Sequence, residues 1–104
     1  MYKSKRSKAC DISKAIKDAV WERDGARCIL CGSRAAFPNC HFLSRAQGGL
    51  GIEENIITAC IKCHNAYDNS EHRSAIKIQI REYLMSIYPY WHEKNLIYRK
   101  YGGD

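Results

Sequence analysis

Two cysteine pairs limit this chain more than any other feature of its sequence. Cys28-Ile29-Leu30-Cys31 and Cys60-Ile61-Lys62-Cys63 are both Cys-x-x-Cys, a spacing that presents two thiolates from one tight turn. Two such pairs, a couple of dozen residues apart, close one tetrahedral zinc site. The chain has 104 residues, a length at which an apolar core alone is marginal and a metal staple is physically sensible. The expectation is a single small α+β domain stapled by zinc.

The six cysteines would suit three disulfides in a secreted miniprotein. Here the basic N-terminus, Met1-Tyr2-Lys3-Ser4-Lys5-Arg6-Ser7-Lys8, is followed by no apolar stretch of the kind a secretory signal needs. Thiolates in a reducing compartment fit better. Cys10 is left over, a bystander near the first helix. No apolar run approaches the length of a membrane span. The formal net charge of +6 points to a polyanionic partner, and for a small domain nucleic acid is the usual one.

Read along the chain, residues 1–9 form a basic flexible arm and residues 10–104 one domain. A first helix is predicted from Asp11, as N-cap, to Arg23, with Ile12, Ala15, Ile16, Ala19 and Val20 at helical spacing. Asp24-Gly25 ends it. Pro38 to Ser44 reads as a short strand, and Gln47-Gly48-Gly49-Leu50-Gly51 as a loop. That loop is no phosphate-cradling P-loop, because the Lys-Ser/Thr step is missing. Asn55 to Ala59 reads as a second strand or extended loop, followed by a helix from about Ile61. A last helix runs from about Arg73 to Tyr88, its buried face marked by Ile76, Ile80, Leu84 and Ile87.

Within this frame lie His41, Asn55 and His64, followed by Asp68. The stretches Cys40-His41-Phe42-Leu43-Ser44-Arg45-Ala46-Gln47-Gly48-Gly49 and Glu54-Asn55-Ile56-Ile57-Thr58-Ala59-Cys60-Ile61-Lys62-Cys63-His64 carry a resemblance. Their order and spacing resemble the HNH endonuclease family, over a core of about residues 20–69. They look most like the small free-standing HNH proteins of phages and prophages. The resemblance implies a ββα-metal core flanked by helices, with a C-terminal helical extension over about residues 73–104. It implies hydrolysis of DNA phosphodiester bonds, by nicking or double-strand cleavage, in the cytoplasm of a bacterial or phage-infected cell. A monomer or weak dimer is expected, with phage terminase or packaging proteins as further partners.

The resemblance also assigns roles. His41 is the general base, and imidazole, with an unperturbed pKa of about 6.5, suits deprotonation of water near neutrality. Asn55 holds the loop between the strands and so positions His41. His64 and Asp68, four apart on a helix, share one face and hold the catalytic divalent ion. That ion is expected to be Mg²⁺ or Mn²⁺, with Ni²⁺ or Zn²⁺ as alternatives. Cys28, Cys31, Cys60 and Cys63 hold a structural Zn²⁺. Apart from the resemblance, Arg45 and Lys62 flank the site and are candidate phosphate contacts, with ordinary surface charge as the alternative.

Cys40 departs from the family pattern, which has an acidic residue or histidine as a metal ligand before the base. A thiolate suits Zn²⁺ far better than Mg²⁺. Cys40 is therefore a ligand for a softer ion, or a small apolar bystander, or a position that leaves the metal to His64 and Asp68. On the second and third readings, Cys40→Asp is expected to raise Mg²⁺-supported cleavage. The competing reading of the whole chain is a zinc-ribbon DNA-binding module, or a packaging-complex interaction module, without catalysis.

Overall fold

The computed structural model describes residues 4–99. Met1–Lys3 of the expected arm and residues 100–104 of the tail lie outside the described residues. The elements run α1 (Lys5–Cys10), α2 (Lys14–Arg23), β1 (Ala36–His41), β2 (Ile56–Cys60), α3 (Ile61–Asn69) and α4 (Arg73–Ile87). Short 3₁₀ turns at Arg45–Gln47, Glu53–Asn55 and Glu93–Leu96 complete the order. The fold is α+β, with one two-stranded antiparallel sheet. No helix among the described residues is long and apolar enough to cross a membrane.

Two differences from expectation lie at the N-terminus. Lys5–Cys10 is helical where a flexible arm was expected, and Ser4 caps it by accepting from the Ser7 N–H at 3.1 Å. A six-residue helix has almost no stability of its own; this one docks on the loop that follows β1. The second helix starts at Lys14, not after Asp11, because Ser13 supplies the N-cap, accepting from Ile16 N–H at 3.2 Å.

β1 runs from Ala36 to His41, earlier than expected. The chain leaves the sheet after His41 because Ser44 and Gln47 form a capping box that winds the next residues into a 3₁₀ turn. In the sheet Phe37 faces Ala59 and Cys40 faces Ile57, so β1 carries one extra residue across Pro38–Asn39, a β-bulge. All five residues of β2 are buried. Ile57 and Ala59 enter the main core with Phe42, Tyr67, Ile80, Leu84 and Leu96. Ile56 and Thr58 alternate to the side of α2, where Val20 is buried.

An ion pair ties that second side together. Asp24, which the sequence presents as a turn residue, is 7% exposed. Its carboxylate accepts from Arg23 Nε at 2.8 Å, from the Thr58 N–H at 2.8 Å and from the Tyr83 hydroxyl. Arg23 also donates to the carbonyls of Glu53 and Ile56, each at 2.7 Å. One pair thus links α2, the turn before β2, β2 itself and α4. Asp24→Ala is expected to destabilise the fold by about 3–5 kcal/mol, because it strands a buried guanidinium. Urea titration of zinc-loaded protein reads the change, and a loss under about 1 kcal/mol would show that Arg23 finds water instead.

The C-terminal segment closes the core. Trp91 packs edge-on against Phe42, with ring centroids 5.5 Å apart, and donates Nε1–H to the Glu54 carbonyl at 2.8 Å. Leu50 N–H bonds Leu96 O and Tyr98 N–H bonds Gly48 O, each at 2.8 Å, so the tail pairs with the glycine-rich loop.

Candidate functional site

Two centres share the sheet and α3. The first is the cysteine cluster. The sulfurs of Cys28, Cys31, Cys60 and Cys63 lie within 4.8 Å of one another, the one such group of three or more metal-ligating side chains among the described residues. The first pair sits on the turn between α2 and β1, where Gly32 adopts a left-handed φ of +81° and bonds Cys28 O at 2.9 Å. The second pair straddles the join of β2 and α3: Cys60 ends the strand and caps the helix, accepting from the Cys63 N–H at 3.4 Å. The Cys31 and Cys60 sulfurs are 3.6 Å apart. Zn–S bonds of about 2.3 Å put tetrahedral sulfurs about 3.8 Å apart. The four cysteines therefore fit a metal ion such as zinc. Burial opposes ionisation of Cys28, but backbone amides of Cys60, Cys31 and Leu30 prevail and lower its thiol to about 7.

The second centre is a cavity of about 860 Å³ with His41 on one wall and His64 and Asp68 on another. Strand alternation divides two neighbours: His41 faces the cavity, while Cys40 is 0% exposed inside the core. His41 is half-buried, and its Nε2 lies 2.9 Å from the carbonyl of Cys10 at the end of α1. Burial lowers the His41 pKa, the Cys10 carbonyl opposes this, Arg45 and His64 lower it further, and Asp11 opposes again. The net direction is down, towards the neutral base.

Asn55 is fully buried at the mouth of β2. Its Oδ1 accepts from the Leu43 N–H at 2.8 Å, and its Nδ2 donates to Leu43 O at 3.1 Å and Leu50 O at 2.8 Å. Its own carbonyl accepts from Phe42 N–H at 2.7 Å. One side chain thereby joins both ends of the loop that follows His41. Gly49 permits this closure: a Cβ there would stand 1.7 Å from Leu43 O. Tyr67 of α3 holds the same stretch from below, donating its hydroxyl to Phe42 O at 2.6 Å.

His64 Nε2 and Asp68 Oδ2 are 3.3 Å apart. Adjacent donors about 2.1 Å from an octahedral hard cation stand about 3 Å apart, so this pair fits two corners of such a shell and leaves the rest open. Arg45 lines the cavity, held by Asp11 at 2.9 Å. Lys62 is exposed and takes no part in the cavity wall. His72 and His92 are likewise exposed and away from it.

The structure adds residues to the wall that the sequence did not single out. Asn39 lies two residues before His41, on the same face of β1, and its side chain is exposed to the cavity across the bulge. The period of two in a strand made that position legible. Arg73, stacked 4.7 Å over the Tyr67 ring, and Lys17 arrive from α4 and α2, and no local pattern announces them.

Cys40 is buried beside both centres, and burial, with the charges of Asp68 and Cys28, pushes its thiol up to about 12. It behaves as a small core residue. A carboxylate at this buried position would enter the core, so Cys40→Asp is expected to cost about 3–5 kcal/mol of stability rather than improve the site. Thermal melts should show the loss, with no gain in Mg²⁺-supported cleavage. A stable Cys40→Asp protein would place this side chain in the cavity instead.

Comparisons with family models, with curated proteins and with solved structures find no match to this chain.

Proposed function

We propose that the chain is a metal-dependent DNA endonuclease of the HNH type, built on a ββα-metal core. One observation carries the reading: His41 from β1 and the His64–Asp68 pair from α3 line a single cavity edged by Lys17, Arg45 and Arg73. The order strand, Asn55, strand, helix supports it, with a histidine on the first strand and another on the helix. So does the net charge of +6. The cavity presents a base, a pair of metal donors and fixed cations on one surface, which are the groups that phosphodiester hydrolysis needs.

In this mechanism His41 takes a proton from the attacking water. Asn55 keeps the loop after β1 in place, so the imidazole meets the water at hydrogen-bond distance. Arg45, Arg73 and Lys17 bind flanking phosphates and balance their charge. A divalent ion held by His64 and Asp68 would supply Lewis-acid stabilisation of charge at the scissile phosphate. The cysteine cluster, loaded with zinc, ties β2 and α3 to the turn before β1 and takes no chemical part.

The test is supercoiled plasmid incubated with zinc-loaded protein and Mg²⁺ or Mn²⁺. Nicked or linear product with 5′-phosphate ends is expected. The second reading, a DNA-binding module without catalysis, is favoured by the inward turn of Cys40, which leaves only two evident donors for a catalytic ion. Salt-dependent gel retardation without cleavage in any divalent ion would decide for it, since phosphate contacts release counterions.

A further inference from the structure

We infer that the outer surface of the cysteine turn is a stacking platform for unpaired DNA beside the cavity: Phe37 takes a nucleobase, and Arg34 and Lys62 take its flanking phosphates. This rests on the reading of the chain as a DNA endonuclease and adds a substrate class, duplex DNA with a single-stranded flank.

None of these three residues lines the cavity that holds His41, His64 and Asp68. The cysteine cluster gathers them instead. Cys28 N–H bonds Ser33 O at 2.8 Å, which closes the turn and leaves Arg34 beside it. Ala36 pairs with Cys60 in the sheet, and Phe37 is the next residue along β1. Lys62 stands between Cys60 and Cys63, whose sulfurs lie within 4.8 Å of each other and of those of Cys28 and Cys31. Each of the three thus adjoins a cluster cysteine or a residue bonded or paired to one, and all three are exposed. No acidic residue occurs from Gly25 to Ile52 or from Asn55 to Tyr67. Among the described residues, no ion pair engages Arg34 or Lys62. A basic surface of this kind suits a polyanion.

Phe37 calls for a base as well as phosphates. Its ring is 50% exposed and pairs with no other aromatic ring among the described residues, whereas Phe42 is buried against Trp91. An aromatic ring flanked by cations is the arrangement on which bases of a single strand stack while their backbone follows the charge. Within a duplex both faces of a base are covered by its neighbours, so the base on Phe37 must be unpaired. The ring is also held rigidly. Phe37 precedes Pro38, which confines it to extended backbone, and it opens the bulge of β1. A side chain presented in this way gives up little freedom on binding. The platform continues into the cavity. Asn39, two residues and about 6–7 Å further along β1, lines the cavity wall, and so does His64, two residues after Lys62. A strand stacked on Phe37 therefore leads directly to His41.

The experiment measures fluorescence anisotropy of labelled oligonucleotides with the full zinc-loaded chain and no other divalent ion. The wild type should bind a duplex with a single-stranded flank at least about fivefold tighter than a blunt duplex of equal length. Phe37→Ala, an exposed change, should weaken binding of the flanked duplex about 5–100-fold and that of the blunt duplex less than about twofold; Phe37→Trp should retain the preference. Arg34→Gln combined with Lys62→Gln should lower the slope of log K against log salt on a single strand by about 1.4. Equal affinity of the wild type for flanked and blunt duplex would overturn the inference, as would a Phe37→Ala protein that keeps the preference. Four thiolates around a divalent ion carry net negative charge, so zinc content is measured in parallel. Weaker zinc retention in the double variant, with the salt slope unchanged, would give these cations to the thiolates and overturn the platform. Binding of an acidic peptide in place of oligonucleotides, lost in Phe37→Ala, would make the surface a protein contact and overturn it too. A flank preference carried by Phe37 in a protein that cleaves plasmid in no divalent ion would uphold the platform and overturn the nuclease reading. Plasmid cleavage by a protein without flank preference would do the reverse.

Discussion

Cys63→Ser is expected to leave a chain with no cooperative melt. Zinc binding in domains of this kind contributes about 10–16 kcal/mol of apparent free energy, as much as the entire stability of an ordinary small domain, about 5–15 kcal/mol. The loss of one thiolate falls on the element that matters most. Cys63 is in the first turn of α3, and its partner Cys60 joins β2 to that helix. Without the metal, the turn carrying Cys28 and Cys31 keeps the Ile29 N–H to Thr58 O bond, at 3.1 Å, and the packing of Ile29 and Leu30 against the core to fasten it to the sheet. Cys28→Ser should behave alike, because the residue is 1% exposed and its hydroxyl would be buried. Circular dichroism melts and zinc content per chain measure the outcome. A Cys63→Ser protein with no zinc and a wild-type melt would remove the four-cysteine site from the account.

His41→Ala is expected to melt like the wild type and to lose cleavage by about 10²–10⁴-fold, the usual contribution of a positioned general base. Its side chain gives up one hydrogen bond, to Cys10 O, worth roughly 0.5–1.5 kcal/mol. The pH profile separates a base from a bystander. Burial, chiefly, holds the His41 pKa below its ordinary value of 6.5, with Arg45 and His64 adding to the effect. Cleavage should therefore rise with pH through an apparent pKa below about 6.5 and be level by neutrality. Stability carries the same sign. The unfolded chain takes up the proton first, so the wild type loses stability as pH falls below about 6.5 and the loss levels off below the folded pKa. His41→Ala should lack this component. Cleavage by His41→Ala within threefold of wild type at pH 7 would take His41 out of the mechanism.

The parts of this fold legible in the sequence are those set by local spacing. Cys-x-x-Cys placed both metal turns, the apolar repeat placed α4, and the i, i+4 relation put His64 beside Asp68. What stayed hidden depends on distant residues. Lys5–Cys10 has no amphipathic repeat, and what holds it lies some 30–40 residues away: Gly51 takes Ala9 O, His41 of β1 takes Cys10 O, and Arg6 bonds Ala46 O. Asp24 reads as a turn until Tyr83, 59 residues on, is found bonding to it. The early end of β1 was legible and missed: Ser44-x-x-Gln47 is a capping box and competes with a strand. Cys40 stands where the resembled family has a metal ligand before the base, and its 0% exposure comes from packing against residues distant in the chain, which no local pattern announces.

Cys63 and His64 are consecutive residues in the first turn of α3, one in the thiolate cluster and the other on the cavity wall. On the proposed reading a chelator would have two ways to silence this protein, one of them through the scaffold. Inactivation by a chelator would then report on the thiolates as much as on any hard cation, and would be no measure of catalytic-metal demand. The informative protocol adds graded Mg²⁺ or Mn²⁺ to protein whose zinc content is held at one per chain. Prolonged chelation followed by Mg²⁺ alone should restore nothing, whereas Zn²⁺ followed by Mg²⁺ should restore cleavage, making the order of addition a readout of which ion shapes the helix and which serves it.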